Sequence, residues 1–432
     1  KKQYVKYDEK SKIDYKVYLN ENDFDKSKNV TSLDLNGALN LLSYNLENYD
    51  RFNFENKLWN IHINMDESLN IFDNNFKDIL NLGEAFDLLI EDNKDILEEV
   101  QEEIHFTYGR LEKMFHNDMG VFIDSDFYNW NRAKAVLEFL YDIDIKPLIV
   151  IDNTAFTTEK YTNVLKSFIE YFSALDFSPI EDLKFQFSST ISKEIKNYLL
   201  DFLNNEFSFE VLQDDFVIEN TLNQIYDTSY MLPYIIHNTI FKKDNLSFLR
   251  NFDVLEKATN ITNEVFIGAP GIVNDMGIRK PSYYAFYLLS KLANEIVSID
   301  DGCIVTKSDD LYAILLYCHN NDMDSLAKYE SIYKNGILKK SFKKKYSLNI
   351  ANLKSATRII TYTIDESTGS SYNYWLSMGS PKRLNKEEKE ILHKASYPKI
   401  EFKYSIKNSV LNIITELNGY GAKLIILRNI KQ

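Results

Sequence analysis

Cysteine is scarce: the 432 residues hold two, Cys303 and Cys318, so no disulfide framework is available and a reducing compartment, the cytoplasm, is expected. No apolar run reaches the roughly 18–20 residues needed to cross a bilayer, so no membrane partner is expected. Basic residues are outnumbered, 50 Lys and Arg against 64 Asp and Glu. The resulting net charge of −14 argues against a broad nucleic-acid surface. The six histidines, His62, His105, His116, His237, His319 and His393, show no metal-ligand spacing, so no metal-ligating residue is expected. Gly268-Ala-Pro-Gly271 lacks the spacing of a dinucleotide or P-loop motif, and no cofactor is expected. Neither a Ser/His/Asp signature nor a helix-turn-helix signature is found, and the start, Lys1-Lys-Gln-Tyr4, is neither an initiator Met nor a signal peptide.

What is present belongs to a packed globular protein, with 44% hydrophobic and 14% aromatic residues. The organising stretch is Leu97–Asp152. A short strand is expected at His105–Gly109, and helical spacing over Asn129–Asp142 places Trp130, Ala133, Val136, Leu137, Leu140 and Tyr141 on one side. The continuous apolar run from Pro147 to Ile151 then suits a strand covered on both faces. This is a βαβ unit.

Upstream, residues 1–57 read as a connector, with a short strand at Lys16–Leu19 and a helix over Thr31–Tyr49. Leu58–Met65 alternates as a strand, and 58–66 is a candidate to pair with the C-terminal domain. The α/β rhythm continues through a helix at Glu159–Ala174, a strand at Leu183–Phe187 and a helix from Lys193 capped by Ser192. Strand candidates follow at Phe207–Leu212, Phe216–Ile218 and Glu264–Ile267, with helices at Thr228–Phe241 and Pro281–Ala293. From about 299 short strands take over, which reads as a β-sandwich over 299–432. The basic run Lys339–Lys345 reads as a solvated loop.

Several segments carry a resemblance. Phe106-Thr-Tyr-Gly-Arg110, Asn117-Asp-Met-Gly-Val-Phe122 and Phe139 to Pro147 keep the spacing of the early barrel of the family 39 glycoside hydrolases, the β-xylosidase and iduronidase group. Ile364-Asp-Glu-Ser-Thr-Gly-Ser-Ser-Tyr-Asn-Tyr-Trp375 with Met378-Gly-Ser-Pro381 resembles that family's D-E-x-H-S-N-A-Y-x-x-W-x-x-M-G-S-P. The resemblance covers about residues 58–430. It implies a TIM-type (β/α) barrel over 58–298 followed by the β-sandwich. Only 34 residues separate Phe185 from Glu219, far fewer than in the hydrolases, so the barrel is expected to be shortened or incomplete by about two βα units of roughly 30 residues each.

The same resemblance locates the chemistry and finds it eroded. Retaining glycosidases need two carboxylates about 5–5.5 Å apart, an acid/base and a nucleophile. Phe185-Gln-Phe-Ser-Ser-Thr-Ile-Ser192 stands where the family has its acid motif, F-E-V-W-N-E-P-N. Thr190 then occupies the acid position and Ser189 that of the sugar-binding Asn; a threonine donates no proton at a useful pKa. The nucleophile motif has its counterpart in Ile218-Glu219-Asn220, followed by Asp227-Thr-Ser-Tyr230. Glu219 survives, but without a partner acid it reads as a surface or hydrogen-bonding residue. At Arg110-Leu-Glu112 a substrate-binding His is lost. The site is therefore expected to hold no catalytic residue, with Arg110, Glu112, Ser189, Thr190 and Glu219 as its vestige.

A family 39 scaffold without its catalytic motifs resembles the C-terminal region of AraC-type transcriptional regulators of low-GC Gram-positive bacteria. That implies a fragment whose helix-turn-helix lies upstream of Lys1, contact with DNA only through that part, and a sensor or interaction role, with a homodimer as one form. A carbohydrate or other small-molecule effector is the expected ligand of the barrel mouth, with Tyr108, Asp152, Phe156 and Tyr226 as candidate contacts. The alternatives are a divergent hydrolase using Glu219 with Asp152, Asp214 or Asp215 as its acid, and a purely structural or dimerisation domain.

Overall fold

The computed structural model describes residues 58–124, 127–152, 156–175, 180–217, 222–242, 246, 248–253, 265–319, 343–353, 357–405 and 410–429. The expected strand at Lys16–Leu19 and helix at Thr31–Tyr49 lie outside these residues.

The first layer is a seven-stranded, all-parallel sheet. It comprises β2 (Ile79–Glu84), β3 (Tyr108–Glu112), β6 (Lys146–Ile151), β7 (Lys184–Ser188), β8 (Glu210–Phe216), β9 (Arg250–Phe252) and β10 (Gly271–Val273), in the order β10-β9-β2-β3-β6-β7-β8. No pairing joins β10 to β8 among the described residues, and β4 (Phe122–Asp124) with β5 (Phe127–Tyr128) forms a separate two-stranded ribbon. One helix alone, α4 (Lys193–Phe202), lies between β7 and β8. The short spacing between Phe185 and Glu219 thus corresponds to a direct β7–β8 pairing.

The helices form for local reasons: in α2 (Asn131–Asp142) Ala133, Val136, Leu137 and Leu140 are buried at helical spacing, whereas Tyr141, expected on the same side, is exposed. In α3 (Thr158–Ser173) the Thr157 side chain accepts from the Lys160 N–H, and Tyr161, Val164, Leu165, Phe168, Ile169 and Phe172 are buried, as their spacing predicts. Burial of each of those large side chains contributes on the order of 2 kcal/mol. Ser192 caps α4 as expected, accepting from the Ile195 N–H, and Pro281 opens α6 (Pro281–Leu289). The strand expected at His105–Gly109 begins later, at Tyr108, because His105 adopts a left-handed backbone (φ 62°) as the cap of α1 (Glu91–Ile104).

Other expectations need correction. The two candidates at 207–212 and 216–218 are one strand, β8, whose polar Gln213-Asp214-Asp215 breaks the apolar pattern and falls at a register shift between the pairs Gln186↔Leu212 and Ser188↔Phe216. No strand is found at 265–267; β9 and β10, three residues each, are too short to show a period. The helix expected over Thr228–Phe241 is α5 (Met231–His237), continued by a wide turn over Asn238–Lys242.

The C-terminal strands build two sheets. One has the order β11 (Glu295–Asp300), β12 (Cys303–Lys307), β13 (Leu311–Cys318), β18 (Gly421–Asn429), β15 (Thr357–Ile364) and β16 (Lys399–Ser405). The other joins β1 (Leu58–Asn64), β14 (Lys343–Ala351) and β17 (Val410–Asn418), with β1 parallel to β14 from Leu58↔Lys345 to Asn64↔Ala351. Strand β13 is buried on both faces: Ile314, Leu316 and Cys318 enter the core between the two sheets, whereas Ala313, Leu315 and Tyr317 join the core shared with the parallel-sheet layer. The six-stranded sheet is therefore the middle layer of the molecule. The basic run is not a simple loop, since Lys343–Lys345 belong to β14, and Lys344 is buried with its ammonium 4.4 Å from the Trp59 ring. Among the described residues no helix is long and apolar enough to cross a membrane.

Candidate functional site

Parallel strands end together, and in α/β sheets the C-terminal ends carry the site. Here polar side chains line one face from the middle of β2, β3 and β7 and the first residue of β9, up to Glu112 at the C-terminal end of β3. Arg110 and Glu112, two apart on β3, share the inner face; Gln186 does so on β7, Asn81 on β2 and Arg250 on β9.

These residues partner one another. Arg110 Nε donates to Gln186 Oε1 at 2.8 Å, and Gln186 Nε2 donates to the Asp214 carbonyl at 2.8 Å. The Arg110 guanidinium also stacks 4.2 Å above the Phe216 ring. Burial pulls its pKa down to about 10, against the opposing pull of Glu112, so it stays charged near neutrality. The Glu112 carboxylate, 2% exposed, lies 3.7 Å from Arg250 Nη2. Burial raises its pKa, while Arg250, Lys113 and Asn81 hold the rise back. Such buried charges persist only where partners replace water.

The rim is different. Ser189 and Thr190 are exposed after β7, and the Thr190 hydroxyl lies 2.9 Å from that of buried Ser188. The Asp152 carboxylate, at the end of β6, pairs with His116 Nε2 at 3.1 Å. Phe156 is half-buried against Phe122 and Tyr161, with the Lys160 ammonium 4.4 Å from its ring. Glu84 and Lys113 form an ion pair at the ends of β2 and β3.

Behind β9 and β10 sits a fully buried triad. Lys280 Nζ lies 2.6 Å from Asp227 Oδ1 and 3.0 Å from Asp253 Oδ1, and donates to the Ala269 carbonyl at 2.6 Å. Asp227 also accepts from the Gly268 N–H at 2.8 Å. Burial pushes both carboxyls up, Asp253 to about 7, while the Lys280 ammonium opposes the shift.

Not every expected contact reaches the mouth. Tyr108 is the first residue of β3, at the opposite end of the strand from Glu112, under the Lys184 ammonium at 4.6 Å. Its place at the N-terminal strand ends removes it from the candidate ligand contacts. Tyr226 is buried against Phe248 in the turn Gln224–Asp227. Asp215 pairs with Lys196 of α4, on the helix side of the sheet, and Asp214 is exposed. Neither is placed as an acid for the interior. Glu219 lies outside the described residues. A cavity of about 790 Å³ opens instead at the N-terminal strand ends, lined by Phe72, Phe76, Ile79, Ile240, Phe286 and Ile304.

The scaffold that carries these residues matches a known family. The sequence pattern of Glycosyl hydrolases family 39 matches residues 162–411, more than half of the chain. The chain belongs to family 39. The fold is similar to that of a monomeric beta-xylosidase from Caulobacter crescentus CB15, which superposes with a TM-score of 0.72 at 15% identity, over 86% of this chain and 100% of that one. By sequence, the chain is 23% identical over 260 residues to an uncharacterized HTH-type transcriptional regulator of Staphylococcus aureus (strain N315). That match takes in 57% of this chain and 33% of the regulator, so the chain spans about a third of the length of the regulators it matches. It is also 27% identical over 183 residues to a beta-xylosidase of Caldicellulosiruptor saccharolyticus, over 41% of this chain and 34% of that enzyme.

Sequence reasoning missed Gln186, Asn81 and Arg250 as partners of Arg110 and Glu112. A polar residue inside the apolar run Phe185-Gln186-Phe187 was a usable signal for the first. Nothing local marked Arg250, which sits in a three-residue strand.

Proposed function

We propose that this chain is the non-catalytic sensor or interaction part of an AraC-type transcriptional regulator, built on a glycosidase scaffold and working in the cytoplasm. The observation that carries the reading is Thr190. At the position the resemblance gives to the catalytic acid stands an exposed hydroxyl tied to Ser188, which supplies no proton for a leaving group. The buried floor supports it: Arg110 is hydrogen-bonded to Gln186 and Glu112 lies 3.7 Å from the Arg250 guanidinium, leaving recognition to the rim of Asp152, His116, Phe156 and Thr190. A sugar or other small polar effector, or a second copy of the chain, is the partner such a rim would take. The match to regulators about three times the length of the aligned segment favours a DNA-binding part elsewhere in the longer protein.

The test is a mobility-shift assay on operator DNA. The 432-residue chain alone should give no specific complex, because its charge of −14 opposes phosphate contact. The parent protein should bind, with an apparent affinity that an effector from a mono- and oligosaccharide screen changes at least fivefold. Specific, salt-sensitive binding by the chain alone would overturn the assignment.

A further inference from the structure

Two histidines that no local spacing connects meet where the parallel-sheet layer rests on the six-stranded sheet. His237 is the last residue of α5, which packs against β13 and β18. His319 follows β13 directly, and Asp301 sits in the turn between β11 and β12, a turn closed by Gly302 at φ 81°. The Asp301 carboxylate oxygen Oδ1 lies 3.6 Å from His319 Nδ1 and 3.9 Å from His237 Nδ1. The imidazoles face each other with centroids 3.6 Å apart and planes 15° apart. One ligand atom from each of the three residues falls within 4.8 Å of the other two.

We propose that His237, Asp301 and His319 form a binding site for a divalent transition-metal ion, with Zn²⁺ as its representative, that clamps α5 to the β-domain. Tetrahedral Zn²⁺ ligands at about 2.0–2.2 Å from the metal stand roughly 3.4 Å from one another. Donor spacings of 3.6 and 3.9 Å therefore need a contraction of only a few tenths of an ångström. The imidazoles also have to turn out of their stack so that both Nδ1 lone pairs converge. Two imidazoles and one carboxylate favour Zn²⁺, Co²⁺ or Ni²⁺ over Ca²⁺ or Mg²⁺, which prefer all-oxygen sets. The imidazole side chains are 12% and 11% exposed and are walled by Phe241 and Tyr317, whereas Asp301 is 76% exposed. The site is thus built on one side and open to solvent on the other, which leaves the fourth coordination position to water. Cys303 and Cys318 point into the sandwich core on the other face of the sheet and do not contribute.

Equilibrium dialysis of Zn²⁺ against the untagged 432-residue chain tests the site. One equivalent should bind, with a Tm rise of roughly 5 °C at metal well above Kd. His237→Asn and His319→Asn should each weaken binding at least tenfold, and His62→Asn, on exposed β1, should leave it unchanged. Co²⁺ gives a readout on the unmodified chain: absorption bands of an imidazole-ligated, low-coordinate ion are expected. A spectrum of the free aqua ion, or an affinity equal in the His237→Asn/His319→Asn double variant, would overturn the proposal.

Discussion

Arg110 donates its Nε–H to Gln186 Oε1 at 2.8 Å, joining β3 to β7 across the inner face of the sheet. Both side chains are buried, so the contact closes the floor of the mouth with the protein's own groups. Arg110→Met leaves the Gln186 oxygen without its donor and should cost about 2–3 kcal/mol. Gln186→Leu leaves a buried guanidinium without its acceptor and should cost about 3–5 kcal/mol. The double variant should cost less than the sum by on the order of 1–2 kcal/mol. Urea unfolding of the four proteins measures this, and strict additivity would mean that the pair is not coupled.

The Lys280 triad gives a pH dependence with a definite sign. Burial raises Asp253 to about 7, against an ordinary carboxyl near 4. Between those values the native state keeps a proton that the unfolded chain has released. The stabilisation is complete below about pH 4 and is lost as pH rises through 7. Asp253→Asn should flatten this slope in urea midpoints measured from pH 4 to 8, and an unchanged slope would assign it elsewhere. Lys280→Met strands two buried carboxyls and should cost about 3–5 kcal/mol at neutral pH.

Thiol reactivity should follow burial. Cys303 is pushed up to about 12 and Cys318 to about 11, both chiefly by burial in the sandwich core. A disulfide reagent at pH 8 should label neither thiol in the native protein and both in denaturant. Rapid native labelling would show that the core between the two sheets opens readily.

Much of the fold was legible because the long elements carry strong periods. The α3 stripe from Tyr161 to Phe172, the Ser192 cap and the apolar β6 run all emerge where their patterns place them. What was not legible depends on contacts distant in sequence. Strands β9 and β10 hold three residues each and exist through their neighbours, not through a local pattern. Tyr108 looked like a ligand contact until strand direction placed it at the wrong end. The site itself was half legible: motif positions located Arg110, Glu112 and Thr190, but Gln186 and Arg250, the partners of the first two, emerge only from contacts between strands.

The central claim, that the scaffold has lost hydrolysis, is tested most directly by release of nitrophenol from an activated aryl xyloside. Such a leaving group departs with little help from an acid, so a surviving nucleophile would still reveal itself. If hydrolysis is lost, the 432-residue chain and its Glu219→Gln variant release nitrophenol at the same rate as buffer. Turnover by the chain that disappears in Glu219→Gln would contradict it.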